Sequence, residues 1–500
     1  MSRFSEWLES AINRRCNWFV VILALVFVGC NWFHAKRTPL WFDELGTLYI
    51  ARVPGFEQIW KALAVPADGC PPLGFWISRV SCQALGWTPA ALRLPEMLGY
   101  LVMMLCIFFI VRRYTTPVYA LIAVLASYLT RVPAFAIEAR PYGLLLGLSS
   151  LALLSWMRAT ERRNRFGSLA VLCLSLSATF FCHYYAVLTF FGLAAGEAAR
   201  VWMRKRIDWP VFAVFALATA SAFLLLPLIR ASATFRQTGF APPTLQSFAT
   251  AMTDLVFPLN GILIISLAAL LMALLRLARD GQGGPADTAL VPPTHELVAW
   301  TALLLAPVEA VVVGKLVSGV LVARYFIVFV IGFSILLAVW LYRTFCGSAS
   351  AGLAILCLCL FWFAVRTAVG SRRENSAGQL SRLVQENNPA HLPVAVADGV
   401  QFFELAYYAP EDVRSNLVYL TDPPAALRYT RSSMVDTNLK GFRAFAPINV
   451  PDYSEFVHSH KSFLMLWSEN AWLPLKLNAD GARIVFKGKA GADALYSVEY

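Results

Sequence analysis

Asp43 and Glu44 stand side by side behind Trp41 and Phe42, about ten residues past an apolar run long enough to cross a membrane. A carboxylate in that position can take a proton from a nucleophile, although a solvated acidic pair is the plainer reading. Glu138-Ala139-Arg140-Pro141-Tyr142, His183-Tyr184-Tyr185 and Ala323-Arg324-Tyr325 add a carboxylate, two guanidinium groups, an imidazole and phenols. Guanidinium forks suit phosphate. Each group also has a bland reading. Arg140 before Pro141 can mark a helix start. His183 can be a satisfied interface histidine, Tyr184 and Tyr185 can belong to an aromatic belt, and Arg324 can snorkel. What makes them informative as a set is the side of the membrane they share, and that depends on the elements that carry them.

Of the 500 residues, 58% are hydrophobic and only 14% charged, and the mean hydropathy is +0.60. Soluble domains are about half apolar and a quarter charged, so an ordinary cytosolic enzyme is excluded. The formal charge of +12 does not indicate nucleic-acid binding, because it is unevenly spread. Residues 1–370 hold 29 Lys/Arg against 16 Asp/Glu, whereas residues 371–500 hold 13 against 14. A basic excess confined to the apolar part reads as loops retained on one side of a bilayer.

A span needs roughly 20 apolar residues. Runs near 16–33, 95–111, 117–135, 141–157, 167–184, 185–202, 210–229, 256–275, 297–318, 324–342 and 350–368 predict about eleven transmembrane helices. Basic clusters precede the first span and follow every even-numbered one, at Arg14/Arg15, Arg112/Arg113, Arg158/Arg162/Arg163/Arg165, Arg204/Lys205/Arg206, Arg276/Arg279 and Arg343. That alternation puts the N-terminus in the cytoplasm. An odd number of spans then puts residues 371–500 outside. The first run is long for a cleaved signal and is followed by bulky Asn31-Trp32-Phe33.

The expected fold is therefore a polytopic α-helical membrane domain, residues 1–370, followed by a soluble α/β domain, residues 371–500. In the latter, strand-like stretches occur at Val394–Ala397, Leu417–Leu420, Phe463–Trp467 and Ile484–Phe486, with helical patterns at Gln401–Tyr408 and Pro424–Tyr429. Nothing there forms a catalytic constellation, so packing or acceptor docking is its default role. All ten cysteines lie in the membrane part. Cys70 and Cys82 share the outer loop 34–94, where a disulfide and two buried free thiols are both compatible with the sequence.

On this topology the carboxylates, arginines, histidine and tyrosines gather at the outer ends of the helices, while the inward loops are short and basic. The site is expected to face outward. Glu197 and Glu309, in or near apolar runs, are costly enough to count as candidates; pairing with Arg200 or Lys315 is the alternative.

Trp41-Phe42-Asp43-Glu44 resembles the acidic motif of the GT-C glycosyltransferases. Pro71-Pro72-Leu73-Gly74-Phe75-Trp76 and Leu92-Arg93-Leu94-Pro95 resemble the PPL…LRLP pattern of their bacterial family 39 members, and Glu138–Tyr142, His183–Tyr185 and Arg324-Tyr325 resemble later landmarks in the same order. The likeness covers roughly residues 10–345. Protein O-mannosyltransferases and lipid A aminoarabinose transferases belong to this group. The resemblance implies transfer of a sugar from a polyprenyl-phosphate donor to an envelope lipid, glycan or protein on the periplasmic side of a bacterial inner membrane. A phosphate leaving group needs no general acid, unlike the glycosidase pair of carboxylates. Asp43 is the expected general base of an inverting displacement, and Glu44 its neighbour that tunes it. Arg140 and Arg324 are expected at the lipid phosphate, and Glu138, Tyr142, His183, Tyr184 and Tyr325 around the substrates. In this family a His or basic residue commonly precedes Pro-Pro-Leu; here it is Cys70, which weakens any metal or phosphate role at that position. Glu138 and His183 could supply two metal ligands, too few to define a site, so the metal question stays open.

The competing class is a lipid or sugar flippase or transporter. Such proteins place substrate near the midplane, often on broken helices in repeated halves. No internal repeat is visible here, and the polar groups lie at helix ends. A purely structural role leaves the ordered motifs without a reason.

Overall fold

The computed structural model describes residues 2–65, 67–135, 137–161, 164–256, 291–369, 375–469 and 471–500. The membrane part opens with helices α1 (Ser2–Arg37), α2 (Phe42–Arg52), α3 (Gly55–Ala64), α4 (Pro72–Leu85), α5 (Pro89–Val111), α6 (Pro117–Ala126) and the short α7 (Val132–Phe135). It continues with α8 (Tyr142–Thr160), α9 (Arg165–Cys182) and α10 (Val187–Arg204). Proline in the first turn starts α4, α5 and α6, where its missing N–H costs nothing. Thr88 caps α5 by accepting from the Ala91 N–H at 3.2 Å.

Among the described residues six helices are long and apolar enough to cross a membrane, and up to eight spans result if two bent pairs each count as one. The bent pairs are Trp209–Phe223 with Leu226–Gln237, and Thr294–Leu304 with Ala306–Ser318, angled at 53° and 57°. Two further apolar helices, Pro117–Leu129 and Phe329–Thr344, are shorter. The described residues thus account for up to eight spans and two shorter apolar helices of the about eleven expected, and the full count stays an expectation. Proline interrupts both bent runs: Pro227 stands in the first turn of Leu226–Ser232, and Pro307 holds the same place in Ala306–Val313. The span expected at 256–275 falls, after Val256, outside the described residues.

Helices α5 and α8 cross with their backbones in contact. A Cβ on Gly99, Gly143 or Gly147 would run into main-chain atoms of the partner helix, so small residues four apart set the approach. At that crossing the Glu96 carboxylate accepts from the Leu144 N–H at 2.9 Å, satisfying an orphan donor in the first turn of α8. Pro95, inside α5, cannot bond the Ala91 carbonyl; Ser81 Oγ donates to that oxygen instead, at 2.6 Å. The motif residues of α5 and the start of α8 are thus fixed against each other.

Residues 394–499 contain a five-stranded sheet in the order β2-β1-β3-β5-β4, with β1 (Val394–Val396), β2 (Leu417–Val418), β3 (Ser462–Trp467), β4 (Arg483–Ala490) and β5 (Asp493–Glu499). The first three are parallel and the last two join antiparallel. The four strand-like stretches are strands. β5 goes unpredicted because Asp493, Ser497 and Glu499 dilute its apolar pattern, although Leu495 and Val498 are fully buried. Both expected helices form, at Gly399–Tyr408 and Pro423–Thr430.

The sheet domain packs on α2. Phe403 lies 5.2 Å from Phe42 and 5.3 Å from Tyr49, ring to ring, and Gly46 leaves room for Phe442. Tyr408 Oη accepts from the Leu40 N–H at 2.7 Å.

Candidate active site

After α1 the chain turns at Thr38-Pro39 and runs back into α2, whose first turn carries Asp43 and Glu44. Two carboxylates at a helix N-terminus are favoured by its dipole. Their side chains part company. Glu44 is buried, and its Oε1 accepts from Arg93 Nε at 2.6 Å while Oε2 accepts from Arg93 Nη2 at 2.5 Å. It also accepts from the Ala139 N–H at 2.8 Å and from the Trp41 N–H at 3.4 Å, the latter being the reach-back half of a capping box.

Arg93 spends its remaining donors on the carbonyls of Ala35, Thr38 and Pro39, at 2.9, 2.8 and 3.0 Å. One buried pair therefore ties together the end of α1, the start of α2, α5 and the segment before Arg140. Arg93 stands in the Leu92–Pro95 motif, but no sequence signal links it to its partner, 49 positions away.

Asp43 turns the other way. Its Oδ2 lies 3.2 Å from Arg324 Nη1, close enough for an ion pair. Arg324 sits on the 3-10 turn Ala323–Phe326, ahead of the helix Phe329–Thr344. Burial alone would lower its pKa, but Tyr142, Asp43 and Tyr325 outweigh that and raise it.

Arg140 is bound by Asp68, a residue that none of the motifs contains. Arg140 Nη1 pairs with Asp68 Oδ2, and Nη2 reaches Oδ1 and Cys70 Sγ at 3.2 Å each. Asp68 Oδ1 also accepts from the Cys70 N–H at 2.9 Å. Its one visible signal is an acidic residue just ahead of Cys70-Pro71-Pro72. Burial pushes the Cys70 thiol up to about 12 against the pull of Arg140. Cys70 and Cys82 are both free and buried, so the disulfide alternative is not taken up.

Around these two pairs lies an aromatic wall. Tyr142 starts α8, and its ring centre is 5.7 Å from His183 and 5.6 Å from Phe135. His183, in the extended break between α9 and α10, accepts the Tyr185 N–H on Nδ1 at 3.1 Å. Tyr325 stacks on Tyr185 at 4.7 Å and meets His183 at 5.3 Å. Tyr185 is pinned by its hydroxyl to the Val320 carbonyl at 2.7 Å. Tyr184 is partly buried against the same core. Glu138 is set apart from this wall. It lines a small cavity of about 80 Å³ with Trp41, Glu44, Arg93 and Arg131.

Four polar atoms in the cluster are buried without a hydrogen-bond partner among the described residues: Asp43 Oδ2, Arg140 Nε, Tyr142 Oη and Arg324 Nε. Native interiors rarely leave such atoms alone, and here they converge from three separate stretches of chain. Both arginines are compensated by carboxylates, yet each keeps donor capacity. Chemically, the arrangement offers a carboxylate, two guanidinium groups and an aromatic wall. Among the described residues no three His, Cys, Asp or Glu side chains group as metal ligands. Glu197 is explained by its pairing with Arg200, at 2.7 Å, and with Trp156.

Residues 70–226 match the family model of dolichyl-phosphate-mannose-protein mannosyltransferases. No curated protein sequence matches the chain significantly. Among solved structures, the crystal structure of ArnT from Cupriavidus metallidurans in the apo state aligns over 97% of this chain and 98% of its own, with 12% identity and a TM-score of 0.57. The same protein bound to undecaprenyl phosphate aligns over 96% and 97%, with 12% identity and a TM-score of 0.55. The chain therefore shares the fold of that protein.

Proposed function

We propose that the protein is an inverting glycosyltransferase that moves a sugar from a polyprenyl-phosphate donor to an acceptor at the membrane surface. The observation that carries this reading is the convergence of orphan polar atoms on Asp43, Arg324, Arg140 and Tyr142. The family match over residues 70–226 and the fold shared with a protein crystallised with undecaprenyl phosphate support it.

The acceptor's oxygen or nitrogen attacks the anomeric carbon from the face opposite the phosphate. Its proton passes to Asp43, and the sugar–oxygen bond breaks with its electron pair retained by the polyprenyl phosphate. Arg324 and Arg140 bear the charge that develops on that phosphate. The resting ion pair of Asp43 with Arg324 gives the site a coupled start, because a phosphate drawing on Arg324 leaves Asp43 free to accept the proton. Glu44 serves as a positioning residue, since its charge is spent on Arg93. His183, Tyr142, Tyr184 and Tyr325 shape the pocket. Glu138 is assigned to the neighbouring cavity, on the substrate approach.

In this reading the site end of the bundle and residues 371–500 face the periplasm of a bacterial inner membrane, and the N-terminus is cytoplasmic. The alternation of basic loops supports that orientation. The test uses proteoliposomes holding the full chain and a polyprenyl-phosphate sugar labelled in the sugar. Covalent transfer of label to an envelope lipid, glycan or protein fraction is expected. Movement of intact donor between leaflets with no transfer would instead establish a flippase.

A further inference from the structure

A cavity of about 640 Å³ lies well away from the candidate active site, at the other end of α5, α8 and α9. It is lined by Phe109, Arg112, Arg113, Leu154, Arg158 and Glu161, with Asn164 and Ser168. From Arg93 to Arg112 along α5 is about 28 Å at 1.5 Å per residue, close to the thickness of a bilayer core. The two sites thus belong to opposite leaflets.

Among the described residues three guanidinium groups line this cavity against one carboxylate. Arg113 is neutralised by an ion pair with Glu161. Arg112 places one donor on Asn17 Oδ1 at 3.3 Å, which leaves most of its fork unused. The Arg158 side chain makes no ion pair or hydrogen bond among the described residues, and it is exposed. Two neighbouring arginines with open forks are shaped for the oxygens of a phosphate. Phe109 and Leu154 supply an apolar wall beside them. Phe109 is itself an exposed ring, and Phe166 at the start of α9, Trp202 at the end of α10 and Trp209 just beyond it also stand outward. Large aromatic side chains exposed near helix ends mark the depth of lipid headgroups. An arginine-lined cavity between spanning helices at that depth suits a lipid phosphate, with the acyl chains running along the apolar wall.

We infer that this cavity binds the phosphate headgroup of an anionic phospholipid in the leaflet opposite the candidate active site. The ligand is a structural lipid. The site is separate from the donor site and does not depend on the transferase reading.

The full-length protein, extracted in a mild neutral detergent, is titrated with phosphatidylglycerol, phosphatidylcholine or inorganic pyrophosphate and followed by native mass spectrometry. Wild type is expected to retain phosphatidylglycerol in preference to phosphatidylcholine. Arg158→Glu and, separately, Arg112→Gln should each weaken that retention by about fivefold or more, one surface charge being worth about that much. Both side chains are exposed, so the fold is expected to survive, and an unchanged thermal midpoint checks it. Should either variant melt early, Arg158→Lys, which keeps the charge and loses the fork, must retain the preference for the anionic lipid. Equal retention of both lipids by wild type, or wild-type retention by Arg158→Glu and Arg112→Gln, would overturn the assignment. Displacement of the lipid by millimolar pyrophosphate would reassign the site to a free phosphate and also overturn it. Asp43→Asn should bind the lipid as wild type does, which separates failure here from failure of the catalytic reading.

Discussion

At the residue scale the two neighbouring carboxylates have opposite work. Asp43 keeps an oxygen without a hydrogen bond beside Arg324, whereas the acceptor capacity of Glu44 is used inside the protein. Glu44→Gln should therefore act on folding. It leaves Arg93 charged, buried and uncompensated, which costs about 3–5 kcal/mol when a buried pair loses one partner. The expected result is a lowered thermal midpoint and poor yield of folded protein; an inactive variant with a wild-type midpoint would move Glu44 into the chemistry. His183 makes a second residue-scale prediction. Burial, aided by the positive charges of Arg140 and Arg324, depresses its pKa from 6.5 to about 3. The native ring stays neutral while the unfolded chain gains a proton below 6.5, so stability present above that value is lost as pH falls toward 3. His183→Asn should flatten the decline in thermal midpoint between about pH 7 and pH 5; an unchanged slope would show that the ring titrates normally.

At the scale of elements, α2 is held from both sides. Arg93 and Glu44 fix its first turn to the membrane helices, and the helix Gly399–Tyr408 lays Phe403, Tyr407 and Tyr408 along it. The sheet domain thus has a physical route to the proposed catalytic carboxylate. Tyr408→Phe removes the hydroxyl that accepts from Leu40, three residues before Asp43, at a stability cost of about 0.5–1.5 kcal/mol. The expected outcome is a severalfold drop in the turnover rate, with donor affinity little changed, measured in the proteoliposome assay. Equal turnover would show that the loop keeps its place without that bond. None of this contact was legible from the sequence, because residues 40 and 408 meet only in the folded chain. Gly99, Gly143 and Gly147 likewise become meaningful only when α5 and α8 are seen to cross.

For the whole molecule, composition and basic-loop alternation were enough to indicate a membrane bundle with an α/β domain after it. The strands at 394, 417, 463 and 484 were readable because their apolar runs are short and bounded by turn residues. The bends were not readable, since hydropathy sums over the proline-marked breaks in two runs. In the site, Asp43, Arg140, Tyr142, His183, Arg324 and Tyr325 were legible as chemistry at helix ends. Asp68 was hidden in a long loop, and the roles of Glu44 and Arg93 were hidden in their pairing. The central claim is that Asp43 takes the acceptor's proton. A single-turnover measurement of label transfer from polyprenyl-phosphate sugar by Asp43→Asn tests it most directly. The predicted result is a loss of about 10²–10⁴-fold in the transfer step, with an unchanged thermal midpoint and unchanged donor binding. Transfer by folded Asp43→Asn at a rate within about threefold of wild type, against that expected loss, would contradict it.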